Sequence, residues 1–320
     1  MSLDFDGRVA LVTGGGRGIG RGIAMMLASH GCRVVVNSLS GSGRSPTQVR
    51  NTASEVVEEI REAGGIAEVA QGDVVSEASD IVERAISAFG QLDIVINNAG
   101  GLAGTTFADT PTRIWDDVAA VHYRGTVAIS RAAWPHLVRS GTGRIINVSS
   151  SAILGNSWTT SYGSAKAGVI GFARSLAVEA APFGIFVNSI LPTAWTDMTK
   201  NVAHPVIARI LKTDFQANHV GAFVTWLVHQ DTVVTNEIFS VGGGQASRIV
   251  FAKSPFVLCR TPTPENWASR EAELLSGNEF VALTSTFDLL KREILSVDPS
   301  LESQLNDEDD VVQERPRPNG

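Results

Sequence analysis

Short apolar runs alternate with longer amphipathic stretches through the first 245 residues. Arg8–Thr13 (RVALVT) is continuous, β-branched and short, as a strand buried on both faces should be. Gly18–His30 carries helical spacing, and Gly31 stops it. The alternation continues with a strand over Arg33–Ser38 (RVVVNS) and a helix over Gln48–Ala63, ended by Gly64-Gly65. A weaker strand covers Ala67–Gln71, and a helix covers Glu77–Phe89, ended by Gly90. Next come a strand at Leu92–Asn97 (LDIVIN), a long helix or broken pair at Pro111–Arg139 and a strand at Arg144–Ser149 (RIINVS). Ser161–Ala180 reads as a helix and Ile185–Leu191 as a strand. After an irregular stretch, Ala222–His229 reads as helix and Glu237–Val241 as strand.

Strand and helix in this alternation predict an α/β fold, a doubly wound and mostly parallel sheet covered on both faces. Residues 1–245 read as one domain, with 193–220 as a flexible substrate lid. Residues 246–301 read as a C-terminal extension. The stretch 302–320, with Asp307-Glu308-Asp309-Asp310 and RPRPNG, reads as a disordered tail.

Composition narrows the partners. Of 320 residues, 43% are apolar and 18% charged, enough for one sizeable core and unlike a disordered chain. A net charge of −7 disfavours duplex nucleic acid and anionic membranes, leaving a small-molecule partner. Cys32 and Cys259 make no disulfide framework, no CxxC offers a zinc site, and no metal is expected. Asp4 and Asp6 stand where a secretory signal wants positive charge. The last residues, Pro-Asn-Gly, are not a peroxisomal address, so the cytoplasm is the expected compartment.

Thr13-Gly-Gly-Gly-Arg-Gly-Ile-Gly20 lies between the first strand and the first helix. Open α/β sheets bind ligands at the carboxyl ends of their strands. The helix starting here points its free N–H groups and positive dipole end at that crevice. Glycine lets the backbone approach a pyrophosphate closely. In such folds a carboxylate about 20 residues past the first glycines holds the ribose 2′-OH of NAD. This chain has Asn37-Ser38-Leu39 there, with Arg17 in the glycine loop and Arg44 in the following loop. A cation beside a hydroxyl suits a 2′-phosphate. NADP(H) is the expected cofactor, with NAD(H) as the alternative.

Tyr162-Gly-Ser-Ala-Lys166 places a phenol and an ammonium on one helix face. A nearby ammonium favours the phenolate and lowers a pKa that is ordinarily near ~10. The phenol can then exchange a proton with an alcohol or ketone oxygen. The helix follows a strand ending in Ser149-Ser150-Ser151, whose hydroxyls can hydrogen-bond that oxygen.

Together TGGGRGIG, Asn97-Asn98-Ala99-Gly100, the serine strand and YGSAK resemble the short-chain dehydrogenase/reductase family, over residues 5–245. The resemblance implies a Rossmann fold, a nicotinamide cofactor, and a homodimer or homotetramer. It implies cofactor contacts from Gly14, Arg17, Gly18, Ile19, Gly20 and Ser38. Asp73 and Val74 match the residues beside the adenine. Asn97, Asn98, Ala99 and Gly100 match the turn beside the adenosine ribose. Pro192 and Thr196 match the segment packed on the carboxamide. Tyr162 becomes the acid/base, and Lys166 the residue that binds the nicotinamide ribose and tunes the tyrosine.

Two positions depart from the family pattern. His122, in VHYRG, stands where the family has an asparagine that supports a proton-relay water; an imidazole relay is one reading, and a histidine satisfied inside the helix bundle is the other. The usual serine-to-tyrosine spacing selects Ser149, whereas alignment on GRIINVSS selects Ser150. Ser150 is the choice, because a loop absorbs a deletion more easily than a buried strand shifts register.

VVEEIREAGG, AAVHYRGTVAISRAAWPHL, TGRIINVSSS, VTWLVHQ and EIFSVGGG resemble one branch, the (3R)-hydroxyacyl-CoA dehydrogenase modules of type 2 peroxisomal multifunctional enzymes. That branch favours NAD and carries an acidic residue where Ser38 stands. The implied reaction interconverts a ketone and a secondary alcohol, on a 3-oxoacyl/3-hydroxyacyl thioester or a related ketone. Hydroxysteroid or polyketide reduction, a non-redox epimerase or dehydratase, and an NADP-binding sensor are the alternatives. Phe107, Trp158 and Trp195 are candidates for an apolar pocket, and Lys200, Arg209 and Lys212 for a CoA-binding mouth.

Overall fold

Seven strands run parallel: β1 (Val9–Val12), β2 (Arg33–Ser38), β3 (Ala67–Gln71), β4 (Ile94–Asn97), β5 (Arg144–Val148), β6 (Phe186–Pro192) and β7 (Ile238–Gly242). An eighth, β8 (Gln245–Ile249), pairs antiparallel with β7, and the sheet order is β3-β2-β1-β4-β5-β6-β7-β8. The structure is a computed structural model that describes residues 3–39, 52–101, 105–200, 202, 204–277 and 279–307. The chain divides into two compact units, Met1–Ile249 and Val250–Gly320.

The register aligns the strand starts. Ala10 lies beside Ile94, Ile94 beside Arg144, and Arg144 beside Phe186. The carboxyl ends therefore share one edge of the sheet. The order reverses between β1 and β4, which opens a crevice at that edge.

Helices cover both faces. Ala10, Val12, Val34, Val36, Ile94 and Ile96 pack with Ile23, Leu27, Val56, Ile60, Val220 and Val224. These come from α1 (Gly18–Ser29), α2 (Thr52–Glu62) and α8 (Ala217–Leu227). Val9, Leu11, Val35 and Val95 face the other way, onto Ile81, Ile129, Leu137 and Ala173. Those belong to α3 (Ala78–Phe89), α5 (Gly125–Ser140) and α6 (Thr160–Ala180). Burial on both faces explains why the central strands read as short, mostly apolar runs.

The sheet runs past residue 245 because Gly243 and Gly244, at φ 59° and 73°, make a two-residue hairpin turn into β8. Within 193–220 lies a helix that the sequence pattern missed, α7 (Pro205–Asp214). α8 begins at Ala217, ahead of the expected Ala222, and packs closely on α1. A Cβ on Gly221 would lie 2.4 Å from the Gly22 carbonyl.

The long helical run divides into α4 (Thr112–Ala119), a π-helical turn at Ala120–Arg124, and α5.

The second unit holds α9 (Pro264–Ala268), α10 (Glu271–Leu275), α11 (Thr286–Val297) and a two-stranded pair of β9 (Ala252–Lys253) and β10 (Val281–Ala282). Thr263 and Ser285 cap α9 and α11 by accepting from Asn266 N and Asp288 N. α12 (Glu302–Asp307) occupies the start of the stretch read as disordered, and 308–320 lie outside the described residues. Among the described residues no helix is long and apolar enough to cross a membrane.

Candidate active site

The glycine loop is tied to the sheet at three points. Thr13 Oγ1 accepts from Asn98 N (3.0 Å) and Ala99 N (3.1 Å). Asn98 Nδ2 donates to Thr13 O (2.9 Å) and Gly14 O (3.1 Å). Gly15 N donates to Asn37 O at 2.8 Å, while Asn37 Nδ2 donates to Ala70 O and Gly72 O. The side-chain amide of Asn98 is thus spent on the loop itself.

Each matched glycine has its own steric reason. Gly14 sits at φ 61°, and a Cβ there would lie 2.9 Å from Ala99 Cα. A Cβ on Gly20 would meet Gly14 O at 2.3 Å. Gly18, at φ 52°, starts α1 and lies beneath Thr196, whose methyl is 3.3 Å from the position of an added Cβ. No side chain caps α1 at Arg17, and no acidic residue stands in its first turn. The backbone thus offers a glycine-floored cradle with a positive helix end, which fits a dinucleotide pyrophosphate.

Ile19 is half-buried beside the cradle and Arg17 is exposed. Ser38 ends β2, and its carbonyl accepts from Gly72 N at 3.1 Å. Arg44 lies outside the described residues. Asp73 Oδ1 accepts from Val75 N at 2.7 Å. Val74, Thr13, Asn97, Ala99 and Val121 line one small recess at the carboxyl edge. Pro192 ends β6, and Thr196 N donates to Thr199 Oγ1 at 2.8 Å.

Next along this edge, β5 delivers the serines. Ser149 N extends the ladder to Ile190 O, and Ser149 Oγ donates to Lys166 O at 2.8 Å. Its hydroxyl is buried and engaged. Ser150 is half-buried, accepts from Ala152 N at 3.1 Å, and lies beside the Tyr162 phenol, where its hydroxyl favours the ionised form. The structure thus separates the two serines: Ser150 faces Tyr162 and Ser149 braces α6.

Lys166 is 4% exposed, and its Nζ donates to Val148 O at 2.5 Å. Nζ lies 5.8 Å from the Tyr162 ring centroid. Burial pulls its pKa from 10.5 down to about 7. Burial also raises the Tyr162 pKa, opposed by the Ser150 hydroxyl. The phenol therefore sits above its ordinary value, contrary to the lowering expected from a neighbouring lysine. Here the ammonium is aimed at a strand-end carbonyl, and desolvation outweighs its effect on the ring.

His122 lies in the π-helical turn, 3% exposed, with its ring 5.1 Å from that of Tyr162 and perpendicular to it. Gly100 and Gly101 pack against this imidazole.

The expected substrate residues are scattered. Phe107 is exposed and stacks edge-on against Trp115. Trp158 is exposed at φ 64°. Trp195 is half-buried, and its backbone N–H donates to Phe215 O. Lys200 pairs with Asp197 at 2.8 Å, and Arg209 and Lys212 are exposed on α7.

Sequence reasoning missed three features. Asn37 ties the β2 end to the cradle. Asn97 Nδ2 donates to both Ser130 Oγ and Asn147 Oδ1, at 2.9 Å each. The π-helical turn leaves no mark in hydrophobic spacing. Only the Asn in RVVVN and in RIINV, polar inside buried strands, signalled the first two.

The short chain dehydrogenase family profile matches residues 8–206. Peroxisomal multifunctional enzyme A of Dictyostelium discoideum is 40% identical over 85% of this chain and 62% of its own length. The 3-oxoacyl-[acyl-carrier-protein] reductase of Synechocystis sp. is 34% identical over 74% of this chain and 96% of its own. The solved full-length peroxisomal multifunctional enzyme type 2 of Drosophila melanogaster superposes with a TM-score of 0.77, at 28% identity, covering 93% of this chain and 51% of that one. The chain thus spans about three fifths of the first of these proteins and about half of the last.

Proposed function

The chain belongs to the short-chain dehydrogenase family, and from this premise we propose that it reduces a 3-oxoacyl thioester to the 3-hydroxyacyl form, using NADPH. Members of the family bind NAD(P)(H) and interconvert ketones and secondary alcohols. The names of the relatives supply the acyl substrate: one is a 3-oxoacyl reductase. The observation that carries the reading is the Ser150–Tyr162–Lys166 group on the same sheet edge as the glycine cradle.

The chemistry supplied by a bound nicotinamide is hydride transfer. Gly14, Gly18 and Gly20 would floor its pyrophosphate, with Asp73, Val74, Ala99 and Gly100 beside the adenosine. Pro192 and Thr196 would lie at the carboxamide end. Ser150 and Tyr162 lie side by side, so each hydroxyl can turn its proton to the same carbonyl oxygen. The phenol is protonated at neutral pH and can give its proton to a carbonyl oxygen that takes up a hydride. Lys166 would hold the ribose and, with a pKa near 7, return a proton to the phenol side.

The NADP preference is supported by the exposed Arg17 and by Ser38 in place of a carboxylate. Purified protein with acetoacetyl-CoA should consume NADPH with at least a tenfold higher kcat/KM than NADH. Arg17→Ala should narrow that ratio. A clear NADH preference would sink the cofactor assignment, and no ketone-dependent consumption of either would sink the reaction. We also infer a homodimer or homotetramer, read by light scattering. The cytoplasm stays the proposed compartment, with the peroxisome named by the relatives as its rival, and cell fractionation decides.

A further inference from the structure

Resting on the reading of Tyr162 as the proton-transferring group, we propose that His122 is a positioning residue: its neutral ring, tethered to the Gly100–Gly101 turn, holds the phenol in line and passes no proton. Nε2 lies 2.7 Å from Gly101 O and 3.3 Å from Gly101 N; the shorter contact is with a carbonyl that can only accept, which assigns the hydrogen to Nε2. A proton path cannot continue through a carbonyl acceptor. Nδ1 is buried and has no hydrogen-bond partner among the described residues. Burial and the Lys166 charge push the imidazole pKa down to about 3, so the imidazolium stays unpopulated near neutrality.

The surroundings are shaped to the ring. A Cβ on Gly100 would lie 2.1 Å from His122 Cε1, so only glycine leaves the imidazole its place. On its other side the ring meets Tyr162 at 5.1 Å and 86°, an edge-to-face geometry. The π-helical turn re-aims consecutive side chains, as such turns do at functional sites. His122 meets Tyr162, while Tyr123 covers Gly168, where an added Cβ would lie 3.3 Å from Cδ2. Two adjacent rings therefore grip α6 on either side of Lys166. Thr126 Oγ1 donates to His122 O at 2.8 Å, fixing the residue that starts the grip.

The test compares His122→Ala, His122→Phe and Tyr162→Phe with the wild type, using NADPH and acetoacetyl-CoA. Thermal melts confirm folding. Misplacing the phenol should cost His122→Ala roughly tenfold to a hundredfold in kcat with KM within about twofold. Phenylalanine keeps the edge-to-face contact, so His122→Phe should return to within about threefold of the wild type. The solvent deuterium isotope effect should be unchanged in both. A relay would instead leave His122→Phe as slow as His122→Ala and raise that isotope effect, and this overturns the proposal. Should the His122 variants fail to fold, Gly100→Ala displaces the ring with the histidine intact. It should show the same kcat loss, with cofactor Kd measured separately, and a wild-type kcat there also overturns it. If Tyr162→Phe is inactive and His122→Ala is fully active, only this inference fails. If Tyr162→Phe is fully active, the reading beneath it fails.

Discussion

Replacing Lys166 by methionine should make the protein more stable at neutral pH while abolishing turnover. The ammonium is buried, and its pKa falls from 10.5 in the unfolded chain to about 7 in the folded one. That fall is worth roughly 4–5 kcal/mol against the charged folded form. Methionine removes this penalty but also the hydrogen bond to Val148 O, worth about 1–3 kcal/mol. The variant should therefore gain on the order of 2 kcal/mol near pH 7. Between about pH 7 and 10.5 the unfolded lysine binds the proton and the folded one does not, so wild-type stability rises with pH there. Methionine does not titrate, so its advantage should shrink by about 1.4 kcal/mol per pH unit through this window. Urea unfolding of both proteins at pH 7.5, 8.5 and 9.5 reads the difference, and other groups cancel. A gap that does not change with pH, or a variant less stable throughout, would refute the burial argument.

Other substitutions probe the remaining elements. Ser150→Ala should lower kcat by about 100-fold, the size of a lost oxyanion-type donor. Ser149→Ala should act mainly on stability, by about 1 kcal/mol in urea unfolding, because its hydroxyl is bound to Lys166 O. Gly20→Ala, with its Cβ only 2.3 Å from Gly14 O, should weaken dinucleotide binding roughly tenfold or more by fluorescence titration, and wild-type affinity would contradict the cradle. Trp158→Gly relieves a left-handed backbone at an exposed side chain. It should leave stability unchanged or raise it by up to about 1 kcal/mol, and a loss above that would show the indole is packed.

Legibility followed the range of the physics involved. The strands β1, β2 and β4–β6 were readable because burial on both faces demands mostly apolar runs, and β7 because its half-buried IFSV is short and ends in glycines. Tyr162 and Lys166 were readable because one helical turn is a fixed spacing. β8 was not, since QASRI is an exposed edge strand whose only cue is the Gly243-Gly244 turn. α7 was hidden because its Val206, Ile207 and Ile210 are exposed, leaving one buried residue, Leu211. The partition of the two serines depends on the register of β5 against β6, which no local pattern encodes. The raised pKa of the phenol likewise reflects three-dimensional burial overriding a helix neighbour. His122 was legible as unusual, but the role proposed for it rests on a contact with a carbonyl twenty-one residues away in the chain.

The most direct trial of the whole account is ketone-dependent oxidation of NADPH by purified wild type and by Tyr162→Phe, with folding verified and a series of 3-oxoacyl-CoA chain lengths offered. The account predicts turnover by the wild type and a loss of about a thousandfold or more in the variant. Equal rates in both proteins, or no ketone-dependent oxidation by either, would contradict it.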